Sequence, residues 1–288
     1  MKIAGLPIEG DLGDGLSGEV YLVRLGDGPD DLAVLKRHRK WEYGVSESEF
    51  EEEIRINREK AIRKNMPRFI RSGRDETGTL YFLMTYAGKL PPKGSLSVEE
   101  WFAWTLELVG ALERLNMRKR IFHRDLKPKN VRSIGGHPVI IDFGLAVRRS
   151  LEDRSRHFIE RVGSLDWMAP EILRFEPYTV RAEIHSAMKT VEAIASDEFL
   201  DAARPALAHA TEHNPKLRTP NWKTLRRELK ERRKIYRRSE SERRPLAKLK
   251  AVTRPLTVAA VLLVVAYALA YAAILVVRIQ RLAAGCAS

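Results

Sequence analysis

The amino-terminal part of the chain carries strand-length apolar runs separated by polar turns. Residues 8–25 form a strand, glycine-rich turn and strand pattern, and residues 32–36 follow as a further apolar strand. Two more strands are predicted at residues 68–74 and 79–86. Between these pairs, residues 46–64 place apolar side chains at near-helical spacing, so one helix is predicted there, begun by Ser46 or Ser48.

Helical periodicity dominates the rest of the chain. Ser97 begins a predicted helix that runs to about Met117, and Glu100 completes a capping-box pattern. A last helix is predicted at residues 222–238, with apolar positions inward and basic positions outward.

One segment near the carboxy terminus has a different character. Residues 256–277 contain twenty-two residues without a charge. About 20 apolar residues are enough to cross the core of a bilayer, so this segment predicts a transmembrane helix. The alternative is a buried helix of a soluble protein, but a helix that is apolar on all sides and lies beyond the domain has no core left to enter.

The basic charge of the chain is concentrated before this apolar segment. Residues 223–254 carry fourteen Lys or Arg against four Glu, which gives +10 of the formal net charge of +13. A uniformly basic nucleic-acid-binding protein would not distribute its charge in this way, so we expect no nucleic-acid partner. Because basic flanks are retained in the cytoplasm, we expect a single-pass membrane protein with a cytoplasmic amino-terminal domain. The same basic residues could attract anionic lipid, although fixing the topology explains their charge without it.

The most specific motif of the chain is HRDLKPKN, from His123 to Asn130, and Asp142-Phe143-Gly144 follows it. Together the two motifs supply carboxylates, a lysine and an amide, the groups that phosphoryl transfer requires. Asp125 can accept a hydroxyl proton, and Lys127 can neutralise the transferring phosphoryl group. Asn130 and Asp142 can hold Mg²⁺ against the phosphates.

With these motifs the chain resembles a protein kinase, and Lys127 within HRDLKPKN is similar to the serine/threonine branch of that family. The resemblance implies an α+β, bilobal protein-kinase-like fold, with a small β-rich N-lobe and a mostly helical C-lobe. It also implies ATP and Mg²⁺ as cofactors and a protein substrate. The domains that we predict from it and from the apolar segment are a kinase N-lobe at 1–87, a shortened C-lobe at 88–238, a basic juxtamembrane linker at 239–254, a transmembrane helix at 255–278 and a short tail at 279–288.

The resemblance also implies which residues bind the nucleotide. Residues 13–20 fit the family's G-x-G-x-x-G-x-V, and Lys36 ends an apolar strand as in its V-A-I-K. In the family this lysine pairs with a glutamate of the next helix, for which we choose Glu53, with Glu52 as the alternative. The implied nucleotide-binding residues are Gly13, Gly15, Gly18, Val20, Val34, Lys36, Met84, Thr85 and Ala87, and the implied catalytic residues are Asp125, Lys127, Lys36 and Glu53.

Further positions either follow or depart from the family's pattern. Arg132 stands where the family usually has the apolar floor of the adenine pocket. Glu183 replaces an aspartate that anchors the catalytic loop, and its extra methylene could loosen that anchor. Ser164 falls where a threonine commonly bonds the catalytic aspartate and lysine, and Arg218 is expected to pair with Glu171.

These observations lead to one main hypothesis and two alternatives. The main hypothesis is a membrane-anchored serine/threonine protein kinase that transfers the γ-phosphoryl group of ATP to protein hydroxyls, with residues 256–277 in the lipid bilayer. The first alternative is a membrane-tethered pseudokinase scaffold, which Arg132 and Glu183 favour and the complete set of catalytic residues opposes. The second is a kinase-like enzyme that acts on a lipid or a sugar, which the membrane anchor would suit.

Overall fold

A computed structural model of the chain describes residues 2–15, 17–26, 28, 31–39, 45–59, 65–90, 94–148, 164–242, 262–265 and 269. The structure separates into two units, Met1–Arg233 and Lys234–Ser288.

A six-stranded antiparallel sheet forms the amino-terminal part of the first unit. Its strands are β1 (Lys2–Ile3), β2 (Leu6–Gly15), β3 (Gly18–Arg24), β4 (Leu32–His38), β5 (Phe69–Arg74) and β6 (Leu80–Thr85). Their order across the sheet is β1-β2-β3-β4-β6-β5, so most neighbours in space are also neighbours along the chain. All four predicted strand regions are therefore confirmed, and short hairpins explain the simple topology.

The helix α1 (Glu47–Arg58) packs against one face of this sheet. Its N-cap is Ser46, whose side chain accepts a hydrogen bond from the Glu49 backbone while the Glu49 side chain bonds back to Ser46. Phe50 and Ile54 of α1 join β-strand residues in one apolar cluster. The helix ends at Arg58, earlier than the predicted end at residue 64, because Glu59 already has extended backbone angles.

Helices form most of the remainder of the first unit. The long helix α2 (Val98–Glu113) begins with the predicted capping box of Ser97 and Glu100, and it continues into a π-helix at Arg114–Arg118. The later helices are α3 (Pro170–Leu173), α4 (Val180–Ile194) and α5 (Asp197–Ala210), and residues 222–242 are also helical. The apolar pattern of the last predicted helix places Leu225, Leu229 and Ile235 inward, and Leu225 and Leu229 are indeed buried. The prediction is wrong for Ile235, which is 42% exposed, and Trp222 is buried in addition.

Short strands and turns carry the polar motifs between α2 and α3. They are β7 (Ile121–Phe122), a 3₁₀ turn at Pro128–Asn130, β8 (Val131–Ile134), β9 (His137–Ile140), β10 (Val147–Arg148) and a 3₁₀ turn at Leu165–Trp167. β8 pairs with β9 and β7 pairs with β10, both antiparallel. Residue 123 directly follows β7, and residue 142 lies two positions after the end of β9.

The predicted membrane span at residues 256–277 lies outside the described residues, apart from 262–265 and 269, which are helical. Across the described parts of both units, no helix combines the length and the apolar character needed to cross a bilayer. The predicted linker is described only to residue 242.

Candidate active site

Lys36 lies on the side of the sheet that faces α1 because side chains alternate along β4. Ala33 and Leu35 pack into the cluster on one face, whereas Val34 packs with α1 on the other. The two-residue period of a strand places Lys36 on the same face as Val34. Lys36 is thereby carried into the space between α1 and the loop that contains Asp142.

Lys36 bonds two carboxylates at once. Its Nζ donates to Glu53 Oε1 at 2.7 Å and to Asp142 Oδ1 at 2.7 Å. The predicted ion pair between Lys36 and Glu53 is therefore confirmed. Glu52, the alternative partner, instead forms ion pairs with Arg55 and Arg148.

Burial and the charges of neighbouring groups shift the pKa values of Lys36 and Asp142 in opposite directions. Burial lowers the pKa of Lys36, but the attraction of Asp142 and Glu53 outweighs it and leaves the pKa above its ordinary value. Burial raises the pKa of Asp142, yet the neighbouring Lys36 lowers it to about 2. Burial, together with the charge of Asp142, raises the pKa of Glu53. At neutral pH the contact between Lys36 and Asp142 therefore joins two full charges.

Asp125 is the acceptor of a dense set of hydrogen bonds. The backbone N–H and the hydroxyl of Ser164 both donate to Asp125 Oδ1 at 2.9 Å. Asn130 Nδ2 donates to Asp125 Oδ2 at 2.9 Å, and Lys127 Nζ lies 2.7 Å from the same oxygen. Lys127 Nζ also donates to the Ser164 hydroxyl at 2.7 Å. These contacts confirm the predicted bonds of Ser164 and fix the carboxylate of Asp125 in one orientation.

The loop of residues 123–127, here called the catalytic loop, is fixed to its surroundings through its backbone. Glu183 Oε1 accepts a hydrogen bond from the His123 N–H at 2.7 Å, and Oε2 accepts one from the Arg124 N–H at 3.3 Å. Tyr178 donates its hydroxyl to Glu183 Oε2 at 2.5 Å. The extra methylene of Glu183 therefore does not break the anchor, because both oxygens are engaged and the residue is fully buried.

The His123 ring links the catalytic loop to the strand that precedes Asp142. Its Nε2 lies 3.0 Å from the Ile141 carbonyl oxygen, and its Nδ1 accepts a hydrogen bond from the Asp125 N–H. Since Nδ1 is an acceptor, Nε2 carries the proton that is donated to Ile141. The ring also packs against Phe143, with centroids 4.9 Å apart. Asp125 and Asp142 are thus held by two connected segments.

The glycine-rich turn joins β2 and β3, with Gly15 paired to Gly18. A Cβ atom at Gly18 would lie 2.2 Å from the Arg37 carbonyl oxygen, so only glycine fits there. Gly13 has a φ of +106°, a conformation that favours glycine. Ser17 is buried, and a Cβ atom on Gly144 would lie 2.2 Å from its hydroxyl. The turn therefore lies close to the loop that follows Asp142.

An apolar cluster contains three of the residues predicted to contact a base. Val20, Val34 and Met84 all belong to the cluster beneath α1. Ala87 is buried as well. The Thr85 N–H is donated to the Arg68 carbonyl oxygen at 2.9 Å, so of the backbone groups of Thr85 only its carbonyl can bond a base.

Arg132, at the predicted floor of this region, is half-buried in β8, where it is paired with Val139. Its guanidinium donates weakly to the carbonyl oxygens of Pro128 and Val131, both at 3.3 Å. Burial lowers the pKa of Arg132. The aliphatic stem of an arginine can cover an apolar ring, so the position retains a packing surface.

The oxygens of Asn130 and Asp142 fit a magnesium ion that is also held by phosphates. Lys36 and the Gly144 N–H contact only Oδ1 of Asp142, and the side chain of Asp142 is 41% exposed. Among the described residues, no donor contacts Asn130 Oδ1. Within the same residues no group of three His, Cys, Asp or Glu could hold a metal alone. Mg²⁺ usually takes one or two protein oxygens together with substrate phosphates, and this pair of ligands suits that arrangement.

The fold and the site agree with a comparison to known families. The family model of the protein kinase domain matches residues 7–248. The chain belongs to the protein kinase family. Its sheet and the helical region that follows are the two lobes of a kinase domain, and Lys36 and Glu53 lie in the first lobe while Asp125 lies in the second.

Several known protein kinases are similar to this kinase domain. The serine/threonine-protein kinase shk2 of Schizosaccharomyces pombe is 29% identical over 229 residues, which cover 73% of this chain and 37% of that protein. The serine/threonine-protein kinase Nek10 of Mus musculus is 29% identical over 195 residues, 61% of this chain and 17% of that protein. The dual specificity testis-specific protein kinase 2 of Mus musculus is 34% identical over 119 residues, 38% of this chain and 21% of that protein. The matched regions thus span well under two thirds of each relative.

The predicted pair of Arg218 and Glu171 is also present in the kinase domain. Arg218 donates from Nη1 and Nη2 to the two oxygens of Glu171, at 2.6 and 2.9 Å. Its remaining N–H groups donate to the carbonyl oxygens of Glu212, Arg181 and His213. Both side chains of the pair are fully buried or nearly so.

Two residues near the catalytic loop were not predicted from the sequence. Asn116, in the π-helix, donates to the Ile121 carbonyl oxygen, and Trp222 donates to Asn116. Neither residue lies in a motif, and the apolar pattern alone explains why Trp222 is buried. The only signal in the sequence was a polar residue, Asn116, at the end of an otherwise apolar helix face.

Proposed function

We propose that this chain is a membrane-anchored serine/threonine protein kinase that transfers the γ-phosphoryl group of ATP to a hydroxyl group of a protein substrate. The observation that carries the proposal is the hydrogen-bonded group of Asp125, Lys127, Ser164 and Asn130, with all four side chains within 3 Å of a bonding partner in the group. A base and a cation held this rigidly suit a reaction that depends on positioning and charge.

Each residue of the site has a role that follows from its contacts. When bound, Mg-ATP supplies the phosphoryl group and a cation that neutralises its phosphates. Asp125 accepts the proton of the attacking hydroxyl, and its fixed orientation defines where that hydroxyl must lie. Lys127, which already bridges Asp125 and Ser164, places a positive charge where negative charge develops. Lys36, steadied by Glu53, orients the phosphates.

The preference for serine or threonine is supported by the motif and by relatives. Lys127 stands in HRDLKPKN, which is similar to the serine/threonine branch. The names of two relatives, shk2 and Nek10, describe serine/threonine-protein kinases, and that of a third describes a dual specificity kinase. The site itself adds support for a peptide acceptor, because the segment from Ser164 to Glu171 is tied to both Asp125 and Arg218.

Membrane anchoring is proposed from the sequence. The uncharged residues 256–277 follow the basic residues 223–254, and this order favours a single span with the kinase domain in the cytoplasm. Contact of the basic residues with anionic lipid is part of the proposal. If it is right, the chain will stay in the membrane fraction after alkaline extraction, and a tag at its carboxy terminus will be protected from protease in intact cells. Release by alkali, or cleavage of the tag, would contradict it.

Phosphoryl transfer is tested on the full chain in detergent micelles, given labelled ATP and Mg²⁺. The acceptor is either a generic basic protein or an extract of lipids and sugars, and the control is Asp125→Asn. We expect label in the protein, reduced about 100-fold or more in the control, as for loss of a general base. Label in lipid or sugar would favour the kinase-like enzyme for those substrates. Absence of label in both would leave the pseudokinase scaffold.

A further inference from the structure

The backbone before Asp125 is strained at two places. Arg120 has a φ of +57° and Arg124 a φ of +67°, both in the left-handed region that residues other than glycine rarely adopt. These two positions flank the stretch of residues 121–123, which leads into the catalytic loop. Strain of this kind persists only where the surrounding structure holds the backbone in place.

Two buried side chains form hydrogen bonds with the backbone of this stretch. Asn116 Nδ2 donates to the Ile121 carbonyl oxygen at 2.7 Å, and it also lies 3.5 Å from Glu183 Oε1. Glu183 in turn accepts the N–H groups of His123 and Arg124. Asn116 therefore bonds the backbone just before Phe122, and Glu183 bonds the backbone just after it.

Trp222 fixes the orientation of the Asn116 amide. Its Nε1 donates to Asn116 Oδ1 at 2.7 Å, and an indole N–H can only donate. Asn116 must therefore turn its oxygen toward Trp222 and its NH₂ group toward Ile121 and Glu183. Trp222 is 1% exposed, Asn116 5% and Glu183 0%, so no water can replace a lost partner without entering the core.

The π-helix at Arg114–Arg118 brings Asn116 to this position. Its hydrogen bonds span five residues instead of the four of an α-helix, and π-turns of this kind are frequent at functional sites. The partner Trp222 lies 106 residues later, at the start of the helical residues 222–242. The bond therefore joins the last helical segment of the kinase domain to the end of α2.

We propose that Trp222 is a positioning residue for the catalytic loop. Through Asn116 it holds the backbone of residues 121–124 in its strained conformation, and so keeps Asp125 in place for proton transfer. Loss of its N–H lowers kcat and leaves the affinity for nucleotide unchanged, because Lys36 and the glycine-rich turn lie in the other lobe. The kinetic part of this inference rests on the proposed kinase function.

The test compares Trp222→Phe with Trp104→Phe in the full chain. Trp104 is a matched control, since it is 1% exposed and its Nε1 has no hydrogen-bond partner among the described residues. Both variants lose similar aromatic volume, but only Trp222→Phe leaves Asn116 Oδ1 without its donor. We expect Trp222→Phe to lower kcat about tenfold with KM for ATP within about twofold, and Trp104→Phe to leave kcat within about twofold.

Hydrogen exchange at the amides of His123 and Arg124 gives a second measurement that needs no activity. We expect exchange to be about tenfold faster in Trp222→Phe and unchanged in Trp104→Phe, since only the former loosens the bonds to Glu183. If the exchange rates of both amides and kcat change equally in the two variants, the inference is overturned. If the wild type transfers no phosphoryl group yet exchange rises only in Trp222→Phe, the positioning contact is supported and the proposed function fails.

Discussion

Lys36, Asp125 and Asp142 come from three separate segments of the chain, and each is oriented by a different local cause. The pleat of β4 turns Lys36 toward α1, and the hydrogen bonds of Ser164 and Asn130 fix Asp125. Asp142 has a φ of +63°, a strained conformation that its contact with Lys36 helps to hold. The orientation of each side chain therefore depends on a contact that the residue type alone does not guarantee.

Two glycines of the glycine-rich turn should respond differently to the same substitution. A Cβ atom at Gly18 would collide with the Arg37 carbonyl oxygen, whereas a Cβ atom at Gly15 would meet nothing within 4 Å. We expect Gly18→Ala to lower the free energy of unfolding by about 1–3 kcal/mol, because the backbone of β4 must shift. Gly15→Ala should stay within about 0.5 kcal/mol of the wild type. Urea denaturation of both variants measures the difference, and equal losses would contradict the close approach at Gly18.

Motifs predicted the proposed catalytic residues, but not all of the side chains that contact the loop around them. Lys36, Asp125 and Asp142 were predicted because their types and spacing are specific. The bond between Trp222 and Asn116 could not be predicted, since the two residues are 106 positions apart and meet only through packing. The anchoring of the catalytic loop by Glu183 was predicted, but only the structure shows that both carboxylate oxygens of Glu183 are bonded.

At the scale of elements, α4 places a histidine in the interior. His185 is 6% exposed, and its Nδ1 has no hydrogen-bond partner among the described residues. Burial lowers the pKa of His185 from 6.5 to about 4, and the positive charges of Arg218, Lys189 and His213 act in the same direction. In the folded protein the His185 side chain is therefore neutral at physiological pH.

This histidine should make stability depend on pH between about 4 and 6.5. Between pH 4 and 6.5, His185 binds a proton in the unfolded chain but not in the folded protein. The free energy of unfolding is therefore undiminished above pH 6.5 and falls as the pH decreases toward 4. The loss attributable to His185 is on the order of 3 kcal/mol at most. Tm measured against pH for the wild type and for His185→Gln tests this. A variant as sensitive to acid as the wild type would show that other groups dominate.

Local signals predicted where helices begin better than where they end. The capping box of Ser97 and Glu100 was predicted, and Ser46 was one of the two serines predicted to begin α1. The end of α1 at Arg58 and the π-helix after α2 were not predicted, because the apolar period continues past both. Helix ends and π-turns are decided by contacts with other segments, which the period does not contain.

At the scale of the molecule, the pair of Glu171 and Arg218 ties the segment after Ser164 to the late part of the kinase domain. The two residues are 47 positions apart, and every N–H of the Arg218 guanidinium has an acceptor. Such a pair stabilises the fold less by its own attraction than by the large cost of leaving one partner buried alone.

Arg218→Met should therefore be severely destabilising. It leaves Glu171 as an uncompensated buried charge, and we expect a loss of about 3–5 kcal/mol in the free energy of unfolding. Arg204→Met is the control, because the ion pair of Arg204 with Asp201 is more than two thirds exposed and should contribute less than about 1 kcal/mol. Denaturant midpoints of the two variants provide the comparison. Similar midpoints would mean that the buried pair is not needed for the fold.

The architecture of the first unit followed from its strand and helix patterns, whereas the role of the carboxy-terminal segment remains a proposal. Strand-length apolar runs and hairpin turns predicted five of the six strands of the sheet, all but β1, and kinase motifs indicated the second lobe. The proposed membrane span at residues 256–277 rests on their uncharged composition and on the basic residues that precede them.

Calorimetric titration of the full chain with ATP, in the presence and absence of Mg²⁺, examines whether the groups around Lys36 and Asp142 form a nucleotide site. We expect binding that is strengthened by Mg²⁺, and we expect Asp142→Asn to weaken the Mg²⁺-dependent part at least about tenfold, since a charged ligand of the metal is lost. A folded chain that releases no heat with millimolar Mg-ATP, or that binds it equally well as Asp142→Asn, would contradict the assignment of this site to phosphoryl transfer.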